Sequence, residues 1–303
     1  MKFGKLTDIK AVDFTLPDDP SSNQVTWDQA SKTSPRKLYL GCTGWSMKEW
    51  IGKVYPKGSK AKDFLPLYTK QFNTIELNTT HYRIPDLATI QQWRNQSAAD
   101  FKFCPKVPQT ISHSRDLGLN GSQLRVFWDM IEGLEEHLGC CFIQLPPHFS
   151  FAKLEQLRSF LSIWPSSIPL AVEIRHPSWF QDSETQARWL ELLHQHQKSA
   201  VITDVAGRRD VLHMGVPSTT TMIRFVGNGL EPSDYERADS WLQRLQKWFE
   251  SGLETAYFFP HQPDNILAPE MTAYMASAAR QIPNIQTRGP ELSEIPGDQL
   301  SLF

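Results

Sequence analysis

The sequence predicts an α/β fold: a single (β/α)8 TIM-type barrel over residues 37–284, with an N-terminal arm at 1–36 and a flexible C-terminal tail at 285–303. Three observations predict it: eight strand-like runs, helical patterns between most of them, and polar residues late in the runs. A doubly wound open sheet is the alternative. That fold would need a GxGxxG motif after its first strand, and GCTGWS at 41–46 lacks one.

Strand-like runs recur along the chain at intervals that leave room for helices. They are LYLGCTG (38–44), TIELNTT (74–80), FKFCPKVP (101–108), GCCFIQLP (139–146), PLAVEIR (169–175), SAVITD (199–204), TMIRFVG (221–227) and ETAYFFP (254–260). Between most of them the apolar residues follow a helical period, as in QLRVFWDMIEGLEEHL. The connection VAGRRDVLHMGVPST has no such period. Strands that alternate with helices predict a parallel sheet.

Charge and cysteine usage exclude several classes of protein. The chain has 31 basic and 33 acidic residues, so nucleic acid is expected to bind only through a local or tethered contact. Cys42, Cys104, Cys140 and Cys141 have no metal-binding spacing and predict buried, reduced thiols. No apolar run approaches the ~20 residues that span a bilayer, and no apolar signal core is present. We therefore expect a cytoplasmic protein without membrane contact.

Polar residues near the carboxyl ends of the predicted strands indicate a site inside the barrel. Alternation of side chains along each strand assigns an inward direction to Glu76, Asn78, Lys106, Gln144, Glu173, Arg175, Asp204 and Arg224. TIM-type barrels keep their active sites at this end. A charge there costs several kcal/mol unless it is paired. The alternative is a buried ion-pair network that only fixes strand register.

The balance of charges in this set favours a ligand with an anionic group. Its acidic members are Glu76, Glu173 and Asp204, and its basic members are Lys106, Arg175 and Arg224. Metal sites normally have an excess of carboxylates or histidines, so we expect neither a metal nor another cofactor. The arginines would hold a small anionic or phosphorylated ligand.

The predicted function is that of a hydrolase or lyase with metal-free acid–base chemistry. The predicted catalytic residues are Glu76, Lys106, Glu173 and Asp204. Glu173 or Glu76 would transfer a proton, Lys106 would stabilise developing charge and Asp204 would orient a partner. Lys106 has a second interpretation as a Schiff-base amine.

The predicted substrate-binding residues include loop residues that follow the strands. The set is Trp45, Asn78, Tyr82, Gln144, Arg175, His176, Arg224 and His261. Trp45 and Tyr82 would stack on a sugar or base, or would instead seal the barrel mouth. His176 and His261 are candidate general bases or loop caps, and His81 and His113 are weaker candidates.

Two further functions remain open at this point. One is a divalent-metal-dependent hydrolase or isomerase, with Glu76, Glu173, Asp204 and His261 as ligands. The other is a non-catalytic adaptor that binds a small anion or nucleotide.

Six strings carry a resemblance to a known family: GCTGWSMKEW, FNTIELNTTHYRIP, FKFCPKVPQTISH, QLPPHF, AVEIRHPSWF and TDVAG. Together with the later strands, over residues 38–280, they resemble the YecE-like family, also called domain of unknown function 72. The resemblance implies a TIM-barrel-like fold and a pocket, but no reaction. The matching motif positions are Gly44, Trp45, Glu76, Asn78, Tyr82, Lys106, Gln144, Glu173, Arg175, His176, Pro177 and Asp204.

Two positions depart from the pattern of that family. Val226 stands where the seventh strand of the family has a histidine, and Pro260 and His261 stand where its eighth strand ends in FNN. We interpret His261 as a replacement for the missing histidine across the barrel mouth.

Residues 299–303 read QLSLF, which is similar to the pentapeptide by which bacterial replication and repair proteins bind the DNA sliding clamp. In this interpretation Leu302 and Phe303 enter an apolar pocket, Gln299 forms a hydrogen bond beside it, and Leu300 adds apolar contact. A short flexible segment would bind with modest affinity, and the tether would raise the effective concentration at DNA. Alternatively, the apolar residues of this segment fold back onto the barrel as a plug.

Overall fold

The computed structural model describes residues 4–31 and 34–293. Its strands are β1 (Arg36–Leu40), β2 (Thr74–Leu77), β3 (Lys102–Pro105), β4 (Cys141–Gln144), β5 (Leu170–Glu173), β6 (Ser199–Asp204), β7 (Thr220–Val226), β8 (Thr255–His261) and β9 (Ile285–Arg288). Its α-helices are α1 (Asn23–Gln29), α2 (Phe64–Gln71), α3 (Thr79–Tyr82), α4 (Leu87–Gln96), α5 (Gln109–Ser112), α6 (Gln123–Glu132), α7 (Leu154–Ile163), α8 (Ser183–Gln195), α9 (Pro232–Ser251) and α10 (Ala268–Ala279). The irregular connection predicted between β6 and β7 carries a 3-10 turn, Arg209–Val211.

The strand pairs in these ranges are parallel and form two sheets. The larger sheet has the order β4-β5-β6-β7-β8-β1-β9, and β2 pairs with β3 in the smaller one. The parallel α/β architecture predicted from the sequence is therefore confirmed, but the ladder of a closed eight-stranded barrel is not continuous. Between the sheets, isolated bridges join Phe103 to Leu138 and Lys106 to Phe142.

The strand β9 accounts for the interruption of the ladder beside β1. It pairs with β1 from Arg36, opposite Ile285, to Tyr39, opposite Arg288. In a closed barrel this edge of β1 would pair with β2. The predicted start of the tail at residue 285 is therefore wrong, because the first four residues of that segment have strand partners. Their polar composition did not indicate a strand.

The side chain of Asn73 connects β2 to β1 where the ladder is missing. Its Oδ1 accepts a hydrogen bond from the backbone N–H of Leu40 at 2.7 Å, and its Nδ2 donates to the carbonyl of Leu38 at 3.1 Å. Thr74, the first residue of β2, passes so close to Gly41 that a Cβ on Gly41 would lie 2.0 Å from the carbonyl oxygen of Thr74. Only glycine allows this approach, which sets the height of β2 relative to β1.

An apolar layer lies between the strands, directly below the predicted site. Its members are buried: Tyr39, Cys104, Cys140, Phe142, Ala171, Val201, Met222, Tyr257 and Phe259. Residues two positions apart share a face of a strand, so Glu173, Arg224 and His261 follow this layer on the same side. The four cysteines are buried and unpaired, as predicted. The opposite faces of the strands pack against the helices through larger apolar clusters.

The N-terminal arm contacts the body along its length. Near the carboxyl end of β6 the carbonyl of Gly4 accepts a hydrogen bond from Gly207 N–H at 2.8 Å. In α1, Thr26 donates its hydroxyl proton to the carbonyl of Val216 at 2.8 Å, just before β7 begins. The arm therefore reaches from one end of the central strands to the other. Within the described ranges, no helix is both long and apolar enough to cross a membrane.

Candidate functional site

Arg224 of β7 forms the centre of a buried ion-pair network. Its Nε and Nη2 donate to Oε2 and Oε1 of Glu76 at 2.9 and 2.8 Å, which is the bidentate geometry of a strong arginine–carboxylate pair. Its Nη1 donates to Oε2 of Glu173 at 2.9 Å. The exposed fraction of each of these three residues is 1% or less. One guanidinium thus joins β2, β5 and β7.

A chain of hydrogen bonds extends this network from β5 to β3. Oε1 of Glu173 accepts from Nε of Arg175 at 2.7 Å, and its Oε2 also accepts from Nε2 of Gln144 at 2.7 Å. Nζ of Lys106 donates to Oε1 of Gln144 at 3.0 Å. Because Gln144 lies between a carboxylate and an ammonium group, the orientation of its amide is fixed by its neighbours.

Glu76 has two further partners, Asn78 just after β2 and His261 at the end of β8. Nδ2 of Asn78 donates to its Oε1 at 2.7 Å, and Nε2 of His261 lies 3.0 Å from its Oε2. Burial lowers the pKa of His261, although Glu76 opposes this effect. The imidazole is therefore neutral near pH 7. In that state Nε2 carries the proton donated to Glu76, and Nδ1 is left as an acceptor.

The two carboxylates of the network are ionised far below neutral pH. Burial by itself would raise the pKa of Glu76, but Arg224 and His261 hold that pKa well below its usual value. For Glu173, burial is likewise outweighed by Arg175 and Arg224, and the pKa falls to about 2. Groups with such low pKa values are well suited to holding arginines in place and poorly suited to accepting a proton near pH 7.

Lys106 differs from the other basic residues of the site. Burial and the nearby Arg224 lower the pKa of Lys106 to about 8, while Glu173 acts in the opposite direction. Its ammonium nitrogen lies 5.9 Å from the centre of the Phe142 ring, and 7% of the residue is exposed. Lys106 is thus a buried amine whose charge changes just above neutral pH.

His81 and Tyr82 lie in α3, which follows β2, and His113 follows α5 after β3. Lys106 acts on the pKa of both histidines. Nδ1 of His81 lies 2.9 Å from the carbonyl of Val107, and its ring is 5.7 Å from that of His113. Burial lowers the pKa of His81 to about 4, with Lys106 acting in the same direction. Tyr82 is 81% exposed, and its ring lies edge-on to that of His81 at a centroid distance of 5.2 Å.

Asp204 lies outside this network, and its predicted inward direction is wrong. Its Oδ2 accepts from Nε1 of Trp241 in α9 at 2.8 Å and pairs with Arg237 of the same helix at 3.0 Å. Its Oδ1 contacts Arg209. The inward residue at this level is Thr203. Alternation along β6 places Asp204 on the same face as Ala200 and Ile202, opposite to Val201 and Thr203, so the inward prediction did not follow the pattern of the strand.

Two of the predicted loop residues also lie elsewhere. Trp45 packs edge-on against Trp93 and Phe103, at centroid distances of 5.5 and 6.4 Å, in a cluster between strands and helices. Nδ1 of His176 accepts from the backbone N–H of Ser178 at 3.1 Å, as a cap of the following 3-10 turn. For His176 the structure therefore favours the loop-cap interpretation.

Sequence reasoning missed a second cluster of charged residues, Asp204, Asp234 and Arg237, which links the beginning of α9 to the carboxyl end of β6 and to the loop after β7. Asp234 accepts hydrogen bonds from the backbone N–H groups of Asn228 and Leu230 at 2.7 and 3.1 Å, and pairs with Arg237 at 3.2 Å. The i,i+3 spacing of Asp234 and Arg237 in the helical pattern was the available signal. Arg208 was missed as well, and its Nη2 donates to the carbonyl of Arg175 at 2.9 Å.

A family model described as "Protein of unknown function DUF72" matches residues 39–294. The chain belongs to the DUF72 family. It is 30% identical over 286 residues to the UPF0759 protein YecE of Escherichia coli K12, covering 88% of this chain and all of YecE. The UPF0759 protein YunF of Bacillus subtilis is 26% identical over 151 residues, 47% of this chain and 52% of YunF.

Solved structures of DUF72 proteins share the fold. A DUF72 family protein of Thermotoga maritima superimposes with a TM-score of 0.61 at 26% identity, covering 81% of this chain and all of that chain. One of Enterococcus faecalis gives a TM-score of 0.65 at 18% identity, over 81% of this chain and 98% of that chain. The resemblance recognised in the sequence is thereby confirmed.

The register of β7 and β8 bears on the departure from the DUF72 pattern at Val226. Val226 pairs with His261 across these two strands. Neighbouring partners in a parallel pair project to the same face, so the imidazole of His261 lies beside the side chain of Val226. Both residues are buried.

The structure does not assemble the alternative metal-ligand set. Asp204 faces α9, and Glu76 and Glu173 are each paired with Arg224. Among the residues with described positions, no group of three His, Cys, Asp or Glu side chains is arranged to hold a metal ion. The predicted clamp-binding residues Gln299, Leu300, Leu302 and Phe303 lie outside the described residues.

Proposed function

We propose that this DUF72 protein binds a small substrate with an anionic group, phosphate or carboxylate, at the carboxyl ends of its strands and acts on it by acid–base chemistry. One observation carries the proposal. Both buried carboxylates of the site are bonded to arginines, and among the described residues the ammonium group of Lys106 donates only to the neutral amide of Gln144. A buried cation without a carboxylate partner is suited to meet an anion from solution.

The charge count of the site supports the same conclusion. Glu76 and Glu173 contribute two negative charges, while Arg224, Arg175 and protonated Lys106 contribute three positive charges. One excess positive charge in a buried site is unfavourable in the absence of a ligand. An anion bound beside Lys106 would neutralise it, and electrostatic attraction would favour its binding.

His261 and Lys106 are the groups best suited to transfer protons in this site. Neutral His261 offers Nδ1 as a base, and its Nε2–H bond to Glu76 fixes the ring. Lys106 offers an acidic ammonium group with a pKa of about 8. Glu76 and Glu173, which the sequence suggested as acid and base, act here as positioning residues for His261 and the arginines.

A complete (β/α)8 ring is part of the proposal. Backbone contacts support it where the ladders are interrupted: Glu76 N–H donates to the carbonyl of Cys42 at 3.0 Å, and Val107 N–H donates to the carbonyl of Phe142 at 2.8 Å. Both contacts lie at the carboxyl ends of the strands, next to the site. Closure at this end would hold the residues of β2 and β3 against those of β4 and β5.

Sulfate is a convenient probe of anion binding because its charge is constant between pH 6 and 10. We expect titration calorimetry to detect sulfate binding to the wild-type protein and a Lys106→Met variant to bind about 10-fold more weakly or worse. Because the ammonium form binds the anion, affinity is expected to be nearly full below about pH 7 and to fall as pH rises through the pKa of Lys106, about 8. Exposed Lys62→Met is the matched control. Equal affinity of the Lys106→Met variant would refute the proposal.

Recruitment to the bacterial sliding clamp through residues 299–303 is a separate proposal, supported by the QLSLF sequence. We expect an immobilised sliding clamp to capture the full chain. Replacement of Leu302 and Phe303 by alanine should abolish capture, because these residues would supply the apolar contacts. Ser301→Ala is the matched control and should be captured normally. Capture that persists in the Leu302→Ala, Phe303→Ala double variant would show that this segment does not mediate it.

A further inference from the structure

The surroundings of Lys106 distinguish it from an ordinary buried lysine. Its Nζ has one acceptor among the described residues, Oε1 of Gln144, which can bond to one of the three ammonium protons. The Oε2 of Glu173 accepts hydrogen bonds from Gln144 and Arg224. Within the described residues, this nitrogen is therefore held by a neutral amide and has no direct ion pair with a carboxylate.

Lys198 provides a comparison within the same chain. It is also buried, with 4% exposed, and its Nζ lies 3.3 and 3.5 Å from the carbonyl oxygens of Pro165 and Ile168. It precedes β6, at the opposite end of the strands from the site. Two buried lysines thus differ in their surroundings: Lys106 lies beside Arg175 and Arg224, and Lys198 beside backbone carbonyls and Cys140.

We propose that Lys106 is a nucleophile that forms a Schiff base with the carbonyl group of an aldehyde or ketone substrate bearing a carboxylate or phosphate. This inference rests on the proposed function, because the anionic group has to bring the carbonyl carbon to Nζ. It names a substrate class for that site, an anionic carbonyl compound, and it assigns a covalent role to Lys106.

The step balances without any oxidant or reductant. Lys106 first releases a proton, and the lone pair of Nζ then attacks the carbonyl carbon as the C=O π electrons move to oxygen. The oxygen takes up two protons and leaves as water, and the nitrogen lone pair forms the C=N bond. In sum, an ammonium group and a carbonyl group give a protonated imine and one water molecule. His261 Nδ1 is a group of the site able to carry the protons.

Burial, with Arg224 and Arg175 acting in the same direction and Glu173 and Glu76 opposing it, lowers the pKa of Lys106 and favours the neutral amine that this step requires. The titratable and charged groups that act on it are Arg224, Glu173, Glu76, Arg175, His81 and His113. With its pKa lowered to about 8, roughly 10% of Lys106 is neutral at pH 7, against well below ~0.1% for a lysine with the usual pKa near 10.4. Lowered pKa values of this kind are a recognised way to activate lysine nucleophiles.

Reductive trapping with glyoxylate, a small aldehyde with a carboxylate, tests the proposal. The full chain is incubated at pH 7 with glyoxylate and cyanoborohydride, which reduces a protonated imine to a stable secondary amine. Peptide mass mapping then gives the labelling rate of each lysine. We expect Lys106 to be labelled at least about 10-fold faster than exposed Lys62 and than buried Lys198. Sulfate in excess should suppress the labelling of Lys106 only.

The outcomes separate the covalent role from the proposed function. Labelling of Lys106 no faster than that of Lys62, in a protein that binds sulfate, would overturn the Schiff base and leave anion binding intact. Equal labelling of Lys106 and Lys198 would show that burial alone accounts for the reactivity, which also overturns it. If sulfate neither binds nor protects, the proposed function fails, whatever the labelling rate.

Discussion

Replacing Arg224 by methionine is expected to lower the free energy of unfolding by about 3–5 kcal/mol, the largest effect predicted for a single side chain of this protein. The guanidinium of Arg224 bonds both oxygens of Glu76 and one oxygen of Glu173, and all three residues are buried. Methionine has a similar length but leaves the two carboxylates without their shared cation. Chemical denaturation at pH 7 measures the change.

The pH dependence of this effect follows from the pKa values of the two carboxylates. Both pKa values are lowered in the folded protein, that of Glu173 to about 2, so their stabilising effect is complete above the unfolded pKa of roughly 4.3 and is lost as pH falls toward 2. The difference in stability between wild type and the Arg224→Met variant should therefore be constant near pH 7 and shrink below about pH 4.

Two controls make the Arg224 prediction specific. Arg158→Met removes an arginine from a solvent-exposed pair with Glu155 and should change stability little. In a double-mutant cycle, Glu76→Gln and Arg224→Met should together destabilise the protein by clearly less than the sum of their separate effects, because each leaves the other partner buried and unpaired. Additive effects would contradict the ion-pair network as the source of the stability.

Replacing Asp204 by asparagine is expected to destabilise the fold by about 3 kcal/mol while sulfate affinity and Lys106 labelling remain unchanged. The carboxylate of Asp204 contacts Arg209, Arg237 and Trp241, and its exposed fraction is 0%. Asparagine keeps the shape but removes the charge that balances two arginines. The loss should therefore appear in denaturation curves and not in ligand binding.

This second prediction separates a structural role of Asp204 from the catalytic role that the sequence suggested. Asp210→Asn is the matched control, because Asp210 is exposed and pairs with Arg208 in the same loop. If the Asp204→Asn variant kept its stability and lost sulfate binding, Asp204 would have a direct role in the anion site and the prediction would be wrong.

Much of the architecture was accessible from the sequence because it depends on local patterns. Short apolar runs that alternate with helical periods predicted a parallel α/β fold, and β1 to β8 overlap the predicted runs. The inward direction was correct for Glu76 and Arg224, where apolar residues alternate with a charged one. It failed for Asp204, which shares its face of β6 with the apolar residues Ala200 and Ile202, whereas Val201 and Thr203 lie on the inward face.

Other features depend on contacts between distant segments and left no local signal. The strand β9 is polar and forms because the edge of β1 is available to it. Trp45 lies between strands and helices because Trp93 and Phe103 surround it there. A loop sequence contains no information on such partners, which are supplied by chain elements far away.

By itself the sequence determined which kinds of side chain line the carboxyl ends of the strands, since alternation along a strand is a local property of the backbone. Only the tertiary structure decided which charges pair. Arg224 bonds Glu76, 148 positions earlier in the chain, and leaves Lys106 with a neutral amide. That pairing depends on how neighbouring strands are shifted relative to one another along their axes. The shift is set by long-range backbone contacts such as the close approach of Gly41 to Thr74.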